Sequence, residues 1–171
     1  FWSYAVAGLV NSTTVLGTNI WYHIACVHDT VAGTNKIYID GILDNTSSYT
    51  FPTASNTTNL RIGRSNLFAG SFNGFINEVG FFGTDLSANI NSIFNGGLPD
   101  SLTAFNPSSW FRMGEEATWD GSKFVLDNQG SIGGTATSVG ILPTNPNPTT
   151  DVPLFDNKSF TYDGVSDYVS L

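Results

Sequence analysis

Three glutamates, two histidines and one cysteine are the residues of this 171-residue chain with the most chemistry to offer. Hydrolysis of a glycosidic bond needs two carboxylates flanking it, ~5 Å apart in retaining enzymes, and a strand delivers such a pair from alternating positions. No Glu-x-Asp-x-Glu run occurs. Glu115 and Glu116 are neighbours that would point apart in a strand, and Glu78 stands alone between Asn77 and Val79, so no catalytic pair is expected and the chain reads as non-enzymatic. His23 and His28 fall on opposite faces of one expected strand, where they cannot share a metal. Cys26, in the middle of that strand, is expected as a buried core thiol on the same face as His28. A lone cysteine forms no disulfide within the chain. No Gly-x-Ser-x-Gly elbow occurs, and no Gly-rich loop leads into a βαβ helix.

Composition narrows the classes further. Charged residues are only 12% of the chain, and Asn, Ser, Thr and Gly fill most polar positions, which gives a neutral polar surface. The net charge is −8 with six scattered Lys and Arg, so there is no basic stripe to neutralise phosphates and nucleic acid is not an expected partner. No apolar run approaches the ~20 residues that cross a bilayer, so membrane insertion is not expected. The chain opens Phe1-Trp2-Ser3-Tyr4, without Met, without an export signal and in the middle of an apparent strand, and is expected to be a piece of a longer polypeptide.

The elements that would position any site are short strands. Trp21 to Asp29, Lys36 to Gly41, Leu60 to Gly63 and Phe72 to Phe82 are β-branched and aromatic runs with period-two alternation, closed by Gly, Asn or Asp. They predict four antiparallel strands in a meander. Residues 1–17 predict two further strands. The Ser/Thr/Asn-rich passage from Gly41 to Leu60 and the stretch from Arg64 to Gly70 predict exposed loops. Leu86 to Phe94 is the one helical stretch, with Ser87 as its cap and Gly96-Gly97 as its end. Residues 143–153 form a Pro/Asn/Thr linker, and two short strands flank Asp163-Gly164 at the close.

Trp21-Tyr22-His23-Ile24-Ala25-Cys26-Val27, Tyr38-Ile39-Asp40-Gly41, Arg61-Ile62-Gly63 and Phe72-Asn73-Gly74-Phe75-Ile76-Asn77-Glu78-Val79-Gly80-Phe81-Phe82, followed by a helical turn, resemble the closing blocks of the concanavalin A-like, or laminin-G-like, lectin/glucanase module. The resemblance implies an all-β, antiparallel jelly-roll β-sandwich. Trp110-Phe111-Arg112-Met113-Gly114-Glu115, Asp127-Asn128-Gln129-Gly130-Ser131 and Ser159-Phe160-Thr161-Tyr162-Asp163-Gly164-Val165-Ser166-Asp167-Tyr168-Val169 resemble the blocks that open such a module. Residues 1–97 therefore read as the C-terminal part of one module, 98–108 as a connection, and 109–171 as the N-terminal part of a like module. The halves either complete one sandwich in permuted order, with Phe160 to Val169 pairing near Phe75 to Phe82, or are each completed by flanking segments. Closure is the favoured outcome, because an open sheet edge invites aggregation.

The resemblance also implies where ligands would sit. Lectin-like modules often hold Ca²⁺ on loop oxygens, and Asp163 and Asp167 are the obvious donors, joined by Asp127 or Glu78 if the halves close; alternatively Asp163 only makes the Asp-Gly turn and Asp167 caps a loop. A glycan would need an exposed aromatic platform, for which Trp110, Trp119 and Tyr49 are candidates together with Trp2, Tyr4 and Phe51, although most aromatics of a sandwich are core. The second-half blocks look like the tandem concanavalin A-like modules of marine bacteriophage structural proteins. That likeness implies a non-enzymatic virion component, as capsid decoration, fibre or tail, with copies of itself or other virion proteins as partners and host glycan as a possible ligand. The alternative is an extracellular or cell-surface carbohydrate-binding adhesin, with Ca²⁺ as its cofactor.

Overall fold

A computed structural model describes residues 10–48, 59–64, 70–143 and 159–171, and the chain forms two compact units. One comprises Phe1–Asn56 with Thr84–Asp100, the other Thr57–Gly83 with Ser101–Leu171. Among the described residues the architecture is all-β and antiparallel, with one short α-helix and three 3-10 turns, as the strand patterns predict.

In the first unit β1 (Ile24–Asp29), β2 (Thr34–Ile39) and β3 (Ile42–Ser48) form a three-stranded sheet in that order. The expected meander holds only this far, and its third member is a segment that the sequence predicts as loop. Asp40 and Gly41, at φ 49° and 79°, make the two-residue reversal that sets Ile39 opposite Ile42. The polar run that follows is drawn into the ladder by that register, despite its low strand propensity. Ile37, Ile39 and Val10 are the buried centre of the unit, with Tyr22 and Ile24 against them.

Cys26 is exposed, not buried as expected: it shares a face of β1 with His28, and among the described residues both lie open on that face. His28 faces Asn35 across the strands, with Nδ1 2.8 Å from Oδ1. The helical stretch is present as a 3-10 turn (Ser87–Asn89) leading into α1 (Ile90–Phe94). Its start is held by Asp85, which accepts the Ser87 N–H at 2.7 Å, so Ser87 is held by the cap and does not supply it. Asn95 and Gly96 in left-handed conformations end the helix.

The second unit contains β4 (Arg61–Ile62), β5 (Asn73–Ile76), β6 (Val79–Phe81), β7 (Ser109–Phe111), β8 (Ala117–Trp119), β9 (Phe124–Asp127), β10 (Thr135–Val139), β11 (Phe160–Asp163) and β12 (Tyr168–Ser170). The run from Phe72 to Phe82 is two strands and not one, because Glu78 turns the backbone at φ 46°. A five-stranded sheet runs β4-β12-β10-β9-β8, and two smaller ladders pair β11 with β5 and β6 with β7. Ile62, Val169, Ala136, Phe124 and Leu126 from the large sheet pack in one core with Phe160, Tyr162 and Phe111 from the small ladders, so the unit is two layers of sheet.

Among the described residues, each of the strands β4, β5 and β6 pairs with a strand from residues 101–171. Phe160 stands opposite Ile76, Val169 opposite Ile62, and Val79 opposite Phe111. At one of these seams the approach is very close: a Cβ on Gly63, whose φ is 91°, would lie 2.4 Å from Cε1 of the buried Tyr162 ring. Gly121 has a similar φ of 104° but open space around it. Replacing Gly121 by Ala is therefore expected to cost about 1–2 kcal/mol from backbone strain alone. Gly63→Ala is expected to cost about 1–3 kcal/mol more, because Tyr162 must also move. Urea midpoints of the two variants, compared at unchanged m-value, measure that difference.

Candidate functional site

Among the described residues the densest gathering of ionisable groups lies around Arg112, just beyond β7. Alternation along β7 sends Phe111 into the core and leaves Trp110 and Arg112 on the opposite side. Asn77 accepts the Glu78 N–H at 2.9 Å, and the left-handed turn at Glu78 aims its carboxylate across the β6–β7 ladder. There Oε1 accepts the Arg112 Nε–H at 2.9 Å, and Oε2 accepts the Trp110 indole N–H. Arg112 also pairs with Glu115, lies 3.9 Å from Glu116, and sits 5.6 Å from the centroid of the Trp110 ring.

All three glutamates of the chain thus converge on one guanidinium. That corrects the expectation that Glu78 stands alone and that Glu115 and Glu116 point apart: the latter two lie in the turn after β7, where the strand rule does not apply. Charge arithmetic is the signal that would have found the cluster. With only six basic residues in the chain and Arg112 the sole arginine after Arg64, a glutamate inside an apolar block has few partners to choose from.

Trp110 is only 7% exposed. Its backbone N–H goes to Asn128 Oδ1 at 2.8 Å and its indole to Glu78, so its polar groups are used inside the unit. Trp119 is half-buried on β8, edge-on to Phe124 at 5.1 Å. Tyr49, Trp2, Tyr4 and Phe51 lie outside the described residues.

Asp163 and Asp167 are brought together in the turn between β11 and β12. Asp163 Oδ1 accepts the backbone N–H groups of Val165 (2.8 Å), Ser166 (3.0 Å) and Asp167 (3.3 Å), which hold its carboxyl below the usual carboxylate range. Asp167 is 3% exposed, and its Oδ2 accepts the Asp163 N–H at 3.2 Å. Burial, and then the charge of Asp163, push its carboxyl up. One oxygen of each carboxylate, Asp163 Oδ1 and Asp167 Oδ2, is thus engaged in building the turn, and Arg64 and Ser71 fasten its outer carbonyls at 3.5 and 3.0 Å. Asp127 closes β9 opposite Thr135, and Glu78 belongs to the Arg112 cluster. Among the described residues no three His, Cys, Asp or Glu side chains are grouped to hold a metal ion.

The first unit has an open cavity of about 350 Å³, floored by Ile24, Ile37, Ile39 and Leu16 and rimmed by Asn11, Ser12 and Thr14. Asp44 fixes the rim. Its carboxylate accepts the hydroxyls of Thr14 (2.6 Å) and Thr13 (2.9 Å) and both backbone N–H groups, and these bonds, the Thr14 hydroxyl foremost, bring its carboxyl down to about 2.

Two antiparallel layers around one core define a β-sandwich protein. The family model of the concanavalin A-like lectin/glucanases superfamily matches residues 2–89, just over half of the chain, and the chain belongs to that superfamily. No curated protein and no solved structure matches it. The matched span ends ahead of β7, so the strands that complete β4, β5 and β6 come from residues beyond it.

Two measurements check this site. Glu78→Gln keeps an acceptor but loses the charge that faces Arg112, and is expected to lower stability by about 1–3 kcal/mol, whereas the exposed Glu116→Gln stays within about 0.5 kcal/mol; urea titration of both reads the contrast. In a carboxyl NMR titration Asp44 is expected to titrate at about 2, Asp163 below the ordinary range and Asp167 above it. The signs then follow. Asp44 and Asp163, depressed in the folded state, stabilise above the unfolded value of 3.8, and that is lost as pH falls through their folded values. Asp167, raised in the folded state, favours folding only while protonated and opposes it as pH rises above 3.8, so Asp167→Asn is expected to help more at pH 7 than at pH 3.

Proposed function

We propose that this chain is a non-enzymatic structural module of a virus particle, serving as capsid decoration, fibre or tail, whose sandwich packs against copies of itself or against other virion proteins. The observation that carries the reading is the convergence of Glu78, Glu115 and Glu116 on Arg112. Acid–base hydrolysis of a glycoside asks for one carboxyl held neutral and a second free to attack or to activate water. Glutamates bound to a guanidinium and an indole N–H are arranged for holding strands together. Charged residues are only 12% of the chain, so Asn, Ser, Thr and Gly supply most of the polar surface that would meet a neighbouring copy, and the repulsion between copies of net charge −8 is one that salt screens. The likeness of the 109–171 blocks to tandem bacteriophage modules points the same way.

A second reading, an extracellular carbohydrate-binding adhesin, draws support from the cavity of the first unit, where hydroxyl and amide groups of Asn11, Ser12 and Thr14 rim an aliphatic floor. Calcium belongs to that reading alone.

The two separate in one pair of experiments on the purified chain. Light scattering and electron microscopy are expected to show ordered high-order assembly, and a glycan array probed with and without a chelator is expected to show no chelator-sensitive binding. Chelator-sensitive glycan binding by a chain that stays monomeric would replace the first reading by the second.

A further inference from the structure

We infer that the two halves of the second unit are exchangeable between chains, so that residues 57–83 of one copy pair with residues 101–171 of another. This deepens the assembly reading, on which it rests, by naming the surface and the partner: a second copy of this chain.

The pairing pattern is the first ground. Among the described residues β4 pairs only with β12, β5 only with β11, and β6 only with β7. The seam is further tied by the Ser108 N–H to Phe81 O at 2.8 Å, the Leu171 N–H to Leu60 O at 3.1 Å, and the Glu78 clasp on Trp110 and Arg112. Nothing in these contacts requires that both sides belong to one chain. An exchanged pair makes the same bonds and buries the same core, and it differs only in association entropy and in the path of the connection.

That connection is the second ground. Residues 57–83 are joined to residues 101–171 through residues 84–100 of the first unit, and the connection then makes a 3-10 turn at Leu102–Phe105 that ends on Asn106 at φ 52° and ψ 60°. Asn106 precedes Pro107, and a residue before proline is disfavoured in helical conformations and prefers extended backbone. The connection therefore carries a backbone cost at Asn106 that extension releases. A strained hinge of this kind lowers the barrier to exchange.

Order of synthesis is the third. Residues 57–83 emerge ahead of every strand that pairs with them, and until then they present three unpaired edges. Where copies are concentrated, a neighbour can supply the missing ladder.

The test uses full chains in a Cys26→Ser background. Phe75 and Thr161 are register partners across the β5–β11 ladder. A chain carrying F75C and a chain carrying T161C are unfolded together, refolded at high concentration and oxidised. The expected product is a disulfide-linked pair containing one chain of each kind, absent when either chain is refolded alone. A chain with both substitutions that closes internally, with no mixed pair in the mixture, would overturn the proposal.

Charge reversal gives an independent reading. E78R and R112E each place like charges at the clasp within one chain, whereas an exchanged pair of the two restores a complementary clasp at both seams. Refolding them together is expected to yield about tenfold more soluble dimer than either alone; a mixture that behaves as the sum of its components would contradict exchange. The outcomes also separate this inference from the assembly reading. High-order assembly without a mixed disulfide leaves that reading standing and removes exchange, while a mixed disulfide without high-order assembly does the reverse.

Discussion

One glutamate held between an indole N–H and a guanidinium is the interaction on which the larger unit depends. Glu78 sits where the backbone must turn left-handed, a conformation that carries a cost for a residue with a side chain, and its carboxylate bridges β6 to the far side of β7. Strands of two to four residues gain little from their own ladders. Their stability comes from the shared core and from side chains that fix register. Glu78 does the second task while Phe111, Phe160 and Tyr162, each almost fully buried, do the first.

Carboxylates do similar work throughout a chain with few charges. Asp40, Asp44, Asp120 and Asp163 each accept backbone N–H groups and so fasten a turn or a loop end. An acid used this way has at least one oxygen turned to the backbone, and among the described residues no three His, Cys, Asp or Glu side chains lie together as a cation site. Asp167 also accepts a backbone N–H, from Asp163, but it is buried and close to the Asp163 charge, so its ionisation opposes folding.

Much of the architecture was legible from residue patterns. The fold class, the strand cores at Ile24–Asp29 and Thr34–Ile39, the helical stretch after Leu86 and the superfamily all follow from alternation and from block order. Features set by tertiary pairing were not. Ile42–Ser48 is a strand because the Asp40-Gly41 turn delivers it to β2, against its composition. Cys26 is exposed because the face of β1 that it shares with His28 is open there among the described residues. The Arg112 cluster joins residues more than thirty positions apart, which no periodicity rule can reach. Asp163 and Asp167 show the converse: their spacing brings them together in one turn, where backbone N–H groups meet one oxygen of each.

The central claim is that residues 57–83 and 101–171 form one cooperative body. Native-state hydrogen exchange across a denaturant series measures this most directly, because amides that open together share one free energy and one denaturant dependence. The account predicts a common opening for the ladder amides of β4, β5 and β6 with those of β7, β11 and β12. Exchange of β4–β6 in step with β1–β3, while β7–β12 remain protected, would contradict it.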